Sequence, residues 1–141
     1  MIGDNETMER VSEVETITNI LIVSDEQPMI ELLRANLLRE GYRVVAATDA
    51  IAAMNLLKEH RPRLAIFDTK EPISKSAKAL ATMRPHCSFP IIILITRNGV
   101  ATLHNILTHE DELFVKPFDI NKLLSLVRAK LSKVQDNDIQ C

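Results

Sequence analysis

Tryptophan is missing from this sequence of 141 residues, tyrosine occurs once, and there are only three glycines, too few for a collagen-like or glycine-rich low-complexity chain. The two cysteines, Cys87 and Cys141, stand far apart with no Cys-x-x-Cys pairing. That spacing argues against a disulfide framework and a zinc site, and Cys141 lacks the downstream residues of a prenylation box. An excess of positive charge is also lacking. The net charge is -2 and the pI near 6.1, so nothing tracks a phosphate backbone and direct nucleic-acid binding is not expected. The longest purely apolar run, residues 91–95, is far too short to cross a bilayer, and the first residues are acidic rather than basic-then-apolar. A cytoplasmic protein with no membrane contact is expected.

What is present is a globular composition, 46% hydrophobic and 26% charged, in a length that suits one domain with its own core. Residues 1–18 set Asp4, Glu6, Glu9, Glu13 and Glu15 against Arg10, with Val11, Val14 and Ile17 as the spaced apolar positions. They read as an acidic flexible leader, with a short docking helix as the sharper alternative. The folded domain is expected over residues 19–133, followed by a C-terminal tail, 134–141.

From Asn19 onward short apolar runs alternate five times with segments of helical period, the signature of βα units around a parallel sheet. ILIVS (20–24) suits a central strand, Pro28 sits in the first turn of the next helix, and Gly41 ends it. RVVAA (43–47) is a more polar second strand, after which Thr48 or Asp49 can cap a helix running to about His60. LAIF (64–67) is the third strand, and a weakly patterned helix is expected over 76–83. IIILI (91–95) is the fourth strand, followed by a helix over 99–107 with Val100, Leu103, Ile106 and Leu107 on one face. LFV (113–115) is a brief fifth strand, and Asp119 caps a helix in which Ile120, Leu123, Leu124, Val127 and Leu131 recur at helical spacing. Right-handed crossovers then give an α/β, doubly wound, five-stranded sheet, for which 2-1-3-4-5 is a common order.

Four polar groups close four of these strands: Asp25, Asp68, Thr96 and Lys116. Each alone is unremarkable, since a polar residue commonly closes a buried strand. Ligands of such sheets bind at the carboxyl ends of the strands, so the four are expected to meet in one crevice. Two carboxylates, a hydroxyl and an ammonium suit the transfer of an anion with a hard divalent cation, because Mg²⁺ takes oxygen ligands and phosphoryl transfer needs positioning and charge neutralisation. Asp25 and Asp68 can hold the metal, Asp68 can be the nucleophile, and Lys116 and Thr96 can each bind a phosphoryl oxygen.

With its segments ILIVSDE, GYRVVAATDA, LAIFDTKEP, IIILIT and FVKPF, the chain resembles the receiver domain of bacterial response regulators, the CheY-like module of two-component signalling, from about residue 19 to 133. The resemblance implies a flavodoxin-like (βα)5 fold of order 2-1-3-4-5. It implies Asp68 as phosphoacceptor, Asp25 and the backbone carbonyl of Lys70 as further Mg²⁺ contacts, Thr96 as the switch hydroxyl and Lys116 as the phosphate partner. A cis bond between Lys116 and Pro117 is also expected. The implied partners are a sensor histidine kinase or histidine phosphotransfer protein and a downstream output protein or domain. The fourth helix, fifth strand and fifth helix form the expected read-out and homodimer face. Such a protein is a phosphorelay component rather than an enzyme, its chemistry confined to its own phosphoryl transfer and autodephosphorylation.

Three positions depart from the family pattern. Ser24 stands where a second acid normally precedes Asp25, which predicts weakened Mg²⁺ binding. Arg97 replaces a small residue after the threonine, and Leu113 replaces the aromatic residue whose rotamer reports the switch. Arg97 and Lys70 are long cations that can crowd the pocket or stand in part for the metal's charge. These departures keep open an alternative, a divergent pseudo-receiver that binds proteins independently of phosphorylation. A haloacid-dehalogenase-like phosphatase is disfavoured because its Asp-x-Asp pair is absent from the first strand, and a flavodoxin because SDEQP lacks a hydroxyl-rich phosphate loop. His104, His109 and Glu110 have no ligand spacing and read as a solvated helix end and loop.

Overall fold

The structure, a computed structural model, describes residues 19–103, 107–108 and 110–140. The expected acidic leader lies outside these residues, as do Cys141, His104, Ile106 and His109. Five strands alternate with helices: β1 (Asn19–Val23), α1 (Gln27–Arg39), β2 (Arg43–Ala47), α2 (Ala50–His60), β3 (Leu64–Asp68), α3 (Ile73–Met83), β4 (Ile91–Ile95), α4 (Val100–Leu103), β5 (Glu112–Val115) and α5 (Ile120–Gln140). All four strand pairings are parallel, and the order is β2-β1-β3-β4-β5, as expected.

Period-two alternation makes the two-sided core. Leu21, Val23, Ala65, Phe67, Ile91, Ile93 and Ile95 pack on one face with α2, α3 and Leu103 of α4. Ile20, Ile22, Leu64, Ile66, Ile92 and Leu94 pack on the other with Ile30, Leu33 and Leu37 of α1 and Leu123, Leu124, Val127 and Leu131 of α5. The central strands are buried on both sides, which is why they read as unbroken apolar runs. Among the described residues no helix is long and apolar enough to cross a membrane.

The punctuation residues act as their chemistry requires. Pro28 sits in the first turn of α1, and Gly41, at φ 94°, is the left-handed residue beyond its end, where a Cβ would be strained. Of the two candidate caps of α2 it is Asp49 that accepts from the Ala52 amide, at 2.8 Å. Asp119 likewise caps α5 through the Asn121 amide. The largest departure from expectation is α3, which begins at Ile73 rather than Ser76. Ile73 is buried against Gly99, a long-range contact that outweighs the weak local pattern. A 3-10 turn, Arg97–Gly99, precedes α4. The backbone of α5 continues to Gln140, so the segment read as a C-terminal tail continues the helix.

Candidate functional site

Strands β1 and β3 lie side by side, with Val23 opposite Phe67, so the residues that follow or close them emerge at one edge of the sheet. The ladder runs on past the strand ends through Ser24 N–H to Ala47 C=O (3.0 Å), Thr69 N–H to Leu94 C=O (3.0 Å) and Lys116 N–H to Ile95 C=O (2.8 Å). These bonds fix the backbone beneath the site before any side chain is considered. A cleft of about 200 Å³ opens there, lined among others by Ser24, Asp25, Asp49, Asp68, Lys70 and Glu71.

Asp68 sits at the centre, buried, with its two oxygens in different surroundings. Oδ2 accepts from the Ser24 hydroxyl at 2.8 Å. Oδ1 lies 2.5 Å from Lys116 Nζ in a close ion pair. The ammonium also donates to the Thr69 carbonyl at 2.6 Å. Lys116 thus has an anchor of its own, and the bond between Lys116 and Pro117 is cis as expected. The carboxylate is thus held from both sides, by a hydroxyl on one oxygen and an ammonium on the other.

Asp25 is more exposed than Asp68 and forms an ion pair with Lys70 Nζ. The hydrogen bond to Asp25, followed by its charge, holds the Lys70 ammonium above the usual lysine range. The loop backbone at Lys70 is pinned by Ser76, whose hydroxyl receives the Lys70 amide at 3.1 Å and donates to the Lys70 carbonyl at 3.2 Å. The hydroxyl of Thr96 donates to Glu71 Oε2 at 3.3 Å. A second cis bond, between Glu71 and Pro72, closes the loop.

Of the sequence-derived set, Asp25, Asp68, Lys70 and Lys116 therefore converge. Thr96 joins them through Glu71, and its hydroxyl faces that carboxylate. Ser24 fills the second-acid position and is wholly inside, with only 2% of its surface exposed. Arg97 is exposed and does not line the cleft. Leu113 is half-buried against the α2–α3 side of the core, while Phe114, on the other side, packs edge-on against Phe118 at 5.8 Å between ring centres. Sequence reasoning missed the Thr69 carbonyl, Ser76 and Glu71. The first is a backbone atom without a sequence signature, and the other two acquire meaning only when the loop folds back.

The donor set suits Mg²⁺ chemically. The carboxylates of Asp25 and Asp68 and the Lys70 carbonyl are hard oxygen ligands, and all three residues line one cleft. The set is one carboxylate short where Ser24 stands. Among the described residues no group of three or more histidine, cysteine or acidic side chains is placed to bind a metal without backbone help.

The sequence matches the family model of the response regulator receiver domain over residues 20–128. Similar solved structures include a two-component response regulator from Clostridium difficile, with a TM-score of 0.71 and 18% identity over 83% of this chain and 98% of that one. The signal receiver domain of a signal transduction histidine kinase from Syntrophus aciditrophicus has a TM-score of 0.69 and 26% identity, covering 83% and 92%. The chemotaxis protein CheY4 of Vibrio cholerae has a TM-score of 0.64 and 20% identity, covering 80% and 98%.

Proposed function

The chain belongs to the response regulator receiver domain family, and from that premise we propose that Asp68 accepts a phosphoryl group from a sensor histidine kinase or histidine phosphotransfer protein. The observation that carries this reading is the placement of Asp68 at the strand ends in the cleft, with one oxygen held by the Ser24 hydroxyl and the other paired with the Lys116 ammonium. In the transfer, Oδ1 attacks phosphorus and a P–O bond forms as the donor's P–N bond breaks. The electron pair leaves with the imidazole nitrogen, which then takes up a proton. The Ser24 hydroxyl on Oδ2 holds the carboxylate in one orientation, which lowers the cost of orienting the nucleophile for attack. Lys116, anchored on the Thr69 carbonyl, meets the negative charge brought in with the phosphoryl oxygens. Thr96 supplies a hydroxyl to a phosphoryl oxygen once it leaves Glu71. Asp25, Asp68 and the Lys70 carbonyl are the residues that would hold Mg²⁺, which when bound neutralises charge on the transferring group.

The added charge of about -1.5 to -2 biases the loops around Thr96 and Lys116, and the read-out face is α4, β5 and α5, for an output protein or domain or for a second copy of the chain. The protein acts in the cytoplasm as a signalling component whose chemistry is its own phosphorylation and autodephosphorylation. Intact-mass measurement after incubation with acetyl phosphate and Mg²⁺ tests the proposal. The wild type gains one phosphoryl adduct and Asp68→Asn gains none, whereas Ser24→Asp is labelled at lower Mg²⁺ concentration. An unlabelled wild type would instead favour the phosphorylation-independent interaction module suggested by Ser24, Arg97 and Leu113.

A further inference from the structure

We propose that the Lys70 ammonium is a tethered competitor of divalent cation at this site, so that Mg²⁺ must displace it from Asp25. The inference rests on the functional reading above and adds to it what sets the metal affinity. Both carboxylates that would hold the metal already carry an ammonium from the chain itself: Lys116 stands beside Asp68, and Lys70 is paired with Asp25. With Ser24 in place of a further acid, the two carboxylates that would contact the metal face two ammonium groups, and the further acids of the cleft, Asp49 and Glu71, lie outside that contact set.

The competition is local because the loop is fixed. Ser76 bonds both the amide and the carbonyl of Lys70, Thr69 is buried with its hydroxyl on the Leu94 carbonyl, and the loop is therefore held at both ends. A side chain rooted on so fixed a backbone presents its ammonium to Asp25 at high effective concentration. Lys70 thereby has two opposed parts. Its carbonyl is one of the oxygens suited to the metal, while its side chain covers another. The ion pair is half open to water, with 51% of the Lys70 and 39% of the Asp25 side chain exposed, so it is a weak barrier that a divalent ion can overcome.

The test is a calorimetric titration of the full chain with MgCl₂ alone, at low ionic strength, for wild type, Lys70→Met and Lys70→Arg. Methionine keeps the carbonyl and the aliphatic stem and removes only the charge. Lys70→Met should bind Mg²⁺ about two- to five-fold more tightly than wild type, the range expected of an exposed ion pair. Lys70→Arg should match the wild type, and the gap should narrow as salt is raised. Equal or weaker binding by Lys70→Met, or no binding by either protein, overturns the proposal. Acetyl phosphate labelling of the wild type separates the two readings. An adduct with an affinity ratio of one removes the role of Lys70 and leaves the function standing. A missing adduct removes the function, while the ratio still decides the competition.

Discussion

Ser24 and Cys87 illustrate how the same degree of burial serves different ends. Ser24 has exchanged a charge for a hydroxyl, and its place inside the protein is acceptable because the hydroxyl donates to Asp68 and receives the Glu26 amide. A carboxylate at that position, beside Asp68 and Asp25, would need a cation to hold it, which is the physical reason for expecting Ser24→Asp to raise metal demand and metal affinity together. Cys87 is a buried thiol whose pKa is pushed up from 9.0 to about 11, chiefly by burial. The folded state therefore holds the thiol proton more tightly than the unfolded chain does. The stability this contributes is complete below pH 9 and is lost as the pH rises toward 11. Urea midpoints measured from pH 8 to 11 should fall more steeply for wild type than for Cys87→Ala, and parallel curves would contradict this. Neither residue announces its environment in the sequence, since a serine and a lone cysteine carry no periodic signal.

At the scale of elements, the connection from Thr96 to α4 is where local pattern and tertiary packing disagree most. Gly99 looks in the sequence like the start of a helix. In the structure it ends a 3-10 turn and lies so close to the start of α3 that a Cβ would come within 2.8 Å of Ile73 Cδ1, 2.9 Å of Ile73 Cγ1 and 3.1 Å of Ile95 Cδ1. Gly99→Ala should cost about 1–3 kcal/mol of stability, as overpacking in a filled core does. The loss would be read as a lower urea midpoint with an unchanged slope, and an unchanged midpoint would show that Ile73 rotates away freely. The same contact explains why α3 starts three residues earlier than its own pattern suggests. By contrast, the starts of α2 and α5 are capped by Asp49 and Asp119 and that of α1 is marked by Pro28, so these starts were legible because local chemistry and packing agree there.

Across the whole molecule, β1, β3 and β4 each have two strand neighbours and helices on both faces, whereas β2 and β5 are edges. Hydrogen exchange should therefore be slowest at the amides of residues 20–23, 64–68 and 91–95, and faster in β5, where three residues are half-buried and Val115 is exposed. Uniform protection across the sheet would contradict that ranking. The five βα units, the buried character of the central strands and the strand-closing residues Asp25, Asp68, Thr96 and Lys116 were all readable along the chain, because apolar period and strand-end chemistry are local properties. Which atoms those residues meet depends on how the loops come together in the fold. The Ser24 hydroxyl on Asp68, the Lys116 ammonium on the Thr69 carbonyl, Lys70 on Asp25 and Glu71 on Thr96 join residues from different loops. Such contacts exist only once the parallel register brings the strand ends to one edge, and no spacing along the chain encodes them.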